Sequence, residues 1–187
     1  MTASKRDAIL DTAERLFYEE GFHATGIDRV VAEAGVARMT LYNHFPAKDA
    51  LVAVVIERRQ ARYCGEIRTA IDARGEGSAL AALLDVHWRW LRTVSGHGCM
   101  LVKAMGEFER HGAGIHDLAR RLKADMLGLL REALAADGHA GDEAQAERVL
   151  LLLEGTNVLL PVLGVEKVIA QARSLVPAAL NPAAAPA

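Results

Sequence analysis

Hydrophobic residues recur at helical spacing along almost the whole chain, and this pattern limits the fold more than any other feature. Ile9, Leu10, Ala13, Leu16 and Phe17 fall on one face of a first helix, because residues three and four positions apart share a helix face. No run alternates polar and apolar residues as a half-buried strand would, and no Asn-Gly or Asp-Gly turn joins two strand-like runs. The sequence therefore predicts an all-α fold.

Glycine and proline residues divide this helical pattern into about nine segments. A capping box formed by Ser4 and Asp7 opens the first helix, and Gly21 ends it. Gly35 ends the second helix, and Pro46 prevents the third from continuing directly into the fourth. We expect helices at about residues 4–20, 25–34, 38–44, 48–74, 78–94, 100–110, 114–137, 143–163 and 165–176.

These helices predict three parts of the chain. Residues 1–48 form a small three-helix head, which the long fourth helix joins to a larger helical body of residues 49–180. The tail, residues 181–187, consists of alanine, proline and one asparagine, and such low-complexity composition predicts disorder. The expected architecture is a three-helix head, a helical bundle and a short disordered tail.

Composition and charge limit the classes of function that the chain can have. Hydrophobic residues make up 51% of the 187-residue chain, which is enough for a packed core. The net charge is −2, and the first 48 residues carry six Lys or Arg against seven acidic residues, so bulk charge does not favour nucleic-acid binding. Cys64 and Cys99 belong to no CxxC pair, which fits a reducing compartment. With no signal-peptide core and no apolar run of the roughly 20 residues that span a bilayer, we expect a cytoplasmic protein without a membrane partner.

The shortest predicted break between two helices lies at Ala34-Gly35-Val36, and both of these helices are short. This spacing predicts a helix-turn-helix, in which the second helix enters the major groove of DNA. Arginine can bind guanine, asparagine can bind adenine, and threonine and methionine can contact the thymine methyl group. Hydroxyl, imidazole and ammonium groups on either side suit phosphate oxygens. The candidate base-reading residues are Arg38, Met39, Thr40 and Asn43, and the candidate phosphate contacts are Thr25, Tyr42, His44 and Lys48.

The same segment resembles the TetR family of transcriptional regulators. The resemblance covers about the first 52 residues and rests on Ile9 to Phe17, Glu20-Gly21-Phe22, Ala32 to Val36, Thr40 to Phe45 and Lys48 to Leu51. It implies DNA contacts from the same eight residues. Two positions depart from the family pattern. Ala37 replaces a frequent serine, so the recognition helix lacks an N-cap worth about 1 kcal/mol, and Met39 replaces an often small residue.

A head this small makes few base contacts, so we expect a homodimer that reads a palindromic DNA operator with half-sites about 34–36 Å apart or a small multiple of it. An apolar stripe runs from Ile115 to Leu130, and the segment Val149 to Leu153 is apolar on every side. These two helices predict a four-helix seam between two chains, as the resemblance also implies. The alternative is that they pack only within one chain.

A second group of residues combines large apolar, methionine and aromatic side chains with polar ones. Buried polar groups need partners, and a bound small molecule is one way to supply them. Because TetR-family members generally sense ligands in this region, we hypothesise a pocket for an unknown effector. The alternative is an ordinary core with hydrogen-bonded polar groups. The candidates are His87, Trp88, Leu91, Met100, Met105, Phe108, Glu154 and Asn157.

Other classes of function find less support in the sequence. Catalytic signatures such as Gly-x-Ser-x-Gly, a P-loop or HExxH are absent, so we expect neither an enzyme nor a cofactor. The spacing of His97, Cys99, His111 and His116 matches no standard zinc pattern, so we expect no metal. The remaining alternative is a helical protein-interaction module that does not bind DNA. The favoured hypothesis is a ligand-released repressor.

Overall fold

A computed structural model of the chain describes residues 4–139 and 143–181. All regular structure in those two ranges is helical, which confirms the all-α prediction and the expected number of helices. The nine helices are α1 (Lys5–Glu20), α2 (Ile27–Ala34), α3 (Arg38–His44), α4 (Lys48–Asp72), α5 (Ala79–Thr93), α6 (Met100–Phe108), α7 (Ala113–Ala136), α8 (Glu143–Leu163) and α9 (Val165–Leu180). In the tail that is predicted to be disordered, residues 181–187, Asn181 is the C-cap residue of α9, and residues 182–187 lie outside the described residues.

Several helix ends differ from the prediction by two or more residues, and the structure gives a reason for two of them. Helix α2 begins at Ile27 with Gly26 as its N-cap, because Thr25 belongs to the preceding turn. Helix α9 continues to Leu180 although Pro177 lies inside it. A proline keeps a helical φ angle and removes one backbone hydrogen bond, and Val168, Ile169 and Ala172 of α9 are buried in the core. This packing offsets the lost bond and extends the helix.

Side-chain caps hold two of the helix starts. The Ser4 hydroxyl accepts a hydrogen bond from the Asp7 amide at 3.1 Å, as the predicted capping box requires. At α5, the Asp137 carboxylate accepts hydrogen bonds from the amides of Ala79 at 2.6 Å and Leu80 at 2.9 Å. Asp137 also accepts the Ser78 hydroxyl at 2.6 Å, so it ties the end of α7 to the start of α5.

The chain forms two compact units, each made of two stretches of the sequence. The first unit contains Met1–Arg62 and Met100–Lys123, and the second contains Tyr63–Cys99 and Ala124–Ala187. The first unit is larger than the predicted head because α6 packs into it. There the Glu107 carboxylate accepts hydrogen bonds from the amides of Phe22 at 3.1 Å and His23 at 2.8 Å. Helix α6 therefore braces the turn that leads into α2.

Each unit has its own apolar core. In the first, the fully buried side chains include Ile9, Leu10, Leu16, Phe17, Phe22, Leu41 and Phe45. In the second, they include Ile67, Leu83, Trp88, Leu130, Leu134 and Val149. None of the helices in the described ranges is long and apolar enough to cross a membrane.

Candidate nucleic-acid interface

Helix α3 follows α2 after a tight turn at Gly35. Gly35 adopts φ 64° and ψ 34°, a left-handed conformation that glycine favours, and its amide closes the end of α2. On α3 itself Leu41 is buried, and Phe45 is buried just after its end. The helix is therefore anchored along one side and free along the other.

The free side carries the predicted base-reading residues. Met39 is 69% exposed, and Arg38 and Asn43 are exposed as well, while Thr40 is half-buried. We call these four residues the α3 face. Ala37 stands at the N-cap position, and its methyl group cannot accept a hydrogen bond, so the first turn of α3 lacks a side-chain cap as expected.

Arg38 is held by neighbours on the surface. Its Nη1 donates to Oδ1 of Asp28 at 2.7 Å, and its guanidinium lies 5.8 Å from the centre of the Tyr42 ring. The hydrogen bond with Tyr42, together with the negative charge of Asp28, raises the pKa of Arg38 above its usual value. The arginine is fully charged, and Asp28 would compete with a base edge for its Nη1 donor.

Three predicted phosphate contacts lie beside the α3 face. Tyr42 is half-buried, His44 is exposed, and Lys48 is half-buried at the first position of α4. Burial lowers the pKa of Lys48, and the charges of Asp49 and Glu107 oppose that change. An ammonium group that has already lost part of its hydration gives up less water when it binds a phosphate.

Thr25 does not fit the predicted phosphate role. Its side chain is fully buried, and its hydroxyl donates to the carbonyl oxygens of Gly21 at 2.8 Å and Leu16 at 3.3 Å. The hydroxyl therefore stabilises the turn between α1 and α2, and it is turned away from solvent. The phosphate contact predicted for Thr25 thus meets a hydroxyl that is already bonded to backbone carbonyl oxygens.

Most acidic residues of α1 and α2 form ion pairs with arginine side chains. Glu33 accepts from both Arg15 and Arg29, while Glu20 accepts from Arg29 and Glu19 from Arg15. These exposed pairs add little stability, but they neutralise charge between α1 and α2. The sum of charges over residues 1–48 thus conceals how the charges are distributed.

Sequence reasoning missed a buried charge cluster between α1 and α4. Glu14 is buried, and its carboxylate accepts hydrogen bonds from Arg59 at 3.0 Å and from Arg62 at 2.6 Å. Arg58 approaches the same carboxylate at 3.3 Å. The three arginines recur at helical spacing on α4, but their partner lies more than 40 positions earlier in the chain. Nothing in the local pattern indicates this pairing.

Around this cluster, Tyr18 links three helices. The Arg59 guanidinium lies 4.1 Å from the centre of the Tyr18 ring, a distance suited to a cation–π contact. Lys103 of α6 donates to the Tyr18 carbonyl at 2.8 Å. The head is therefore joined to α4 and α6 by charged groups in a partly buried setting.

The predicted effector-binding residues are divided between the two units. Met100, Met105 and Phe108 lie in the first unit, and the other five candidates lie in the second. The Phe108 ring lies 5.6 Å from Phe22 and 4.8 Å from His23, measured between ring centres. Phe108 is therefore a core residue of the first unit.

In the second unit, His87 is satisfied by the protein itself. Its Nδ1 lies 2.7 Å from the Tyr63 hydroxyl, and its Nε2 lies 2.9 Å from the Thr156 hydroxyl, which donates to the Leu153 carbonyl at 2.6 Å. Because the Thr156 hydroxyl already donates its proton to Leu153, it can only accept from His87. Nε2 of His87 therefore carries the imidazole proton, and Nδ1 accepts a hydrogen bond from Tyr63. Burial raises the pKa of Tyr63 well above its usual value, so the phenol stays protonated and donates.

The remaining candidates of the second unit differ in exposure. Trp88 and Leu91 are buried in the core, and Glu154 is half-buried. The Asn157 side chain is buried and its amide donates to Glu154 at 3.5 Å. Within residues 4–139 and 143–181, no three His, Cys, Asp or Glu side chains are grouped to hold a metal ion.

Comparison with known proteins places this architecture among bacterial regulators. Residues 9–55 match the family model described as bacterial regulatory proteins of the tetR family. The HTH-type transcriptional activator FasR of Mycolicibacterium smegmatis is 33% identical over 67 residues, 36% of this chain and 31% of FasR. The HTH-type transcriptional repressor NemR of Escherichia coli is 26% identical over 165 residues, 79% of each chain. The chain thus matches about a third of the length of FasR.

Similarity at the level of structure extends over nearly the whole chain. A crystal structure of a TetR-family transcriptional regulator from Streptomyces coelicolor has a TM-score of 0.86, with 27% identity and 95% of both chains covered. An exposed helix on a helix-turn-helix within an all-helical chain is typical of DNA-binding transcriptional regulators. Residues 9–55 thus carry the sequence pattern of the tetR family, and the fold of the described residues is similar to that of a TetR-family regulator.

Proposed function

We propose that the chain is a cytoplasmic repressor that binds a palindromic operator as a homodimer and leaves it when a small molecule binds. The observation that carries DNA binding is the exposure of the α3 face beside Tyr42, His44 and Lys48. Arg38 and Asn43 suit guanine and adenine edges, and Met39 suits a thymine methyl group. NemR, which matches over 79% of each chain, is named a repressor, and the activator FasR matches over only 36% of this chain, so we favour repression.

The homodimer is supported by an exposed apolar surface on α8. Leu151, Gly155, Val158 and Val162 follow one another at helical spacing along one side, and we call them the α8 stripe. The three large side chains are 72%, 65% and 75% exposed, respectively. An added Cβ at Gly155 would meet no atom within 4 Å, so this position leaves room for a close helix. A second copy of α8 is the occupant that this stripe fits.

The DNA-binding proposal is tested by removing two of the phosphate contacts. We expect Tyr42→Ala and Lys48→Ala each to weaken binding to a genomic fragment by about tenfold in a mobility-shift assay. The fragment is first selected from the source genome with the wild-type protein. Glu19→Ala, a change on the exposed side of α1, is the control and is expected to retain full affinity. If the wild type retains no fragment even at low salt, the chain is a protein-interaction module instead.

The effector proposal rests on the polar groups of the second unit. Tyr63, His87 and Asn157 lie in or beside an apolar core that contains Trp88 and Leu91. We propose that an apolar or aromatic compound with one hydrogen-bonding group binds there. Thermal-shift screening of the full chain against a metabolite library tests this. At least one such compound is expected to raise the melting temperature, and Asn157→Ala to reduce that rise. A library without any stabilising compound would contradict the proposal.

A further inference from the structure

Arg6 stands apart from the other arginines of the first three helices. Arg15, Arg29 and Arg38 each form ion pairs with acidic neighbours. Arg6 is exposed and forms no ion pair with any residue in the ranges 4–139 and 143–181. Its contact is with an aromatic ring, since its guanidinium carbon lies 5.5 Å from the centre of the Phe45 ring.

The position of Arg6 follows from the buried face of α1. Leu10, Ala13 and Phe17 are four, seven and eleven residues further along, and all three are buried. Residues at these spacings share one side of a helix, so Arg6 continues the core-facing side of α1 to the point where the core ends. Phe45 meets it there, because α1 and α3 pack together.

Phe45 links this arginine to the proposed DNA surface. It is the C-cap residue of α3, directly after His44 and three residues before Lys48. Two proposed phosphate contacts therefore flank the ring that holds the Arg6 guanidinium. A cation on an aromatic face keeps its N–H donors at the ring edge available for another acceptor.

We propose that Arg6 binds a phosphate of the DNA backbone, as a contact outside the helix-turn-helix. This inference rests on the proposed DNA binding of α3. Asp7, the nearest acidic residue in sequence, is turned to the helix start, where its carboxylate accepts the Ser4 hydroxyl at 2.6 Å. Phe45 orients the guanidinium, and the positive charge of Arg6 remains available to bind the duplex. A charge that is unpaired in the free protein costs no broken ion pair when it binds.

The test compares three variants of the full chain on two kinds of DNA. One probe is a duplex selected by the wild-type protein from a random library, and the other is sonicated duplex DNA of mixed sequence. Arg6→Gln removes the charge, and Arg6→Lys keeps it. The control, Arg15→Gln, removes the same charge nine residues along α1, on the opposite side of the helix at about 100° per residue.

We expect Arg6→Gln to weaken binding to both probes by about fivefold to tenfold and to reduce the slope of log affinity against log salt by about 0.9. Arg6→Lys should keep the wild-type slope, and Arg15→Gln should keep both affinity and slope. Wild-type affinity for Arg6→Gln would overturn the proposal. So would equal losses for Arg6→Gln and Arg6→Lys, which would mean that Arg6 acts by packing on Phe45. If the wild type binds neither probe, it is the proposed DNA binding that fails.

Discussion

Replacing Glu14 by glutamine is expected to lower the free energy of unfolding by about 3 kcal/mol, because it leaves buried positive charge without a carboxylate. Arg59 is as buried as Glu14, while Arg58 and Arg62 reach the same carboxylate from more exposed positions. Glutamine keeps the shape of the side chain and removes its charge. Urea denaturation of the full chain, at one fixed protein concentration, measures the difference.

The control for this substitution is Glu19→Gln on the same helix. Glu19 is exposed and pairs with Arg15 at 3.3 Å, so its loss is expected to change stability by no more than about 0.5 kcal/mol. If both variants unfold at the same urea concentration, the buried cluster does not stabilise the fold. A large loss confined to Glu14→Gln would show that the charge holds α1 to α4.

The effect of Glu14 should also depend on pH in a defined direction. Burial raises the pKa of Glu14, but the hydrogen bonds and charges of Arg62 and Arg59 outweigh burial and hold it below the usual 4.5. A carboxyl group with a lowered pKa in the folded state stabilises the fold above its unfolded pKa. That contribution disappears as the pH falls from 4.5 through the folded pKa. The stability difference between wild type and Glu14→Gln should therefore be largest near neutral pH and shrink in acid.

Placing glutamates at Val158 and Val162 is expected to convert the proposed dimer to a monomer. Two copies of the α8 stripe in contact would bring these charges together in an apolar seam, where their desolvation is costly. A monomer holds one half-site and loses the second binding event, so affinity for a palindromic operator should fall by about 100-fold or more. Light scattering after size-exclusion chromatography measures the mass, and a mobility shift measures the affinity.

Val102→Glu is the matched control for the α8 stripe. Val102 is also an exposed valine, but it lies on α6. This variant should remain dimeric and bind the operator as the wild type does. A dimer of wild-type mass in the double glutamate variant would exclude the α8 stripe as the dimer contact.

Local patterns in the sequence were sufficient to predict the helices that carry the DNA-binding site. The bounds of α3 follow from Gly35, which ends α2 just before it, and from Pro46, which follows its end. The exposure of Met39 follows from its place opposite the buried Leu41 and Phe45. Short-range sterics and periodicity decide these features, and both can be read from neighbouring residues.

Features that depend on distant contacts could not be predicted in this way. Thr25 looks like a helix start, yet its hydroxyl is drawn into a turn by the carbonyls of Leu16 and Gly21. Glu14 and Glu107 look like surface acids, but their partners come from other helices. A single sequence shows which residues are acidic, and only the packed fold shows which of them meet a cation or an amide.

The hydrogen bond between Arg38 and Asp28 has a consequence for how a genome is searched. On a wrong sequence, the guanidinium can return to the carboxylate 2.7 Å away at little cost, so such a duplex gains nothing from this side chain. If Arg38 reads a base as we propose, only a base edge that competes with Asp28 would keep the arginine in place. Asp28 would then weaken the contact at correct and incorrect sites alike, and it would speed release from the many incorrect ones.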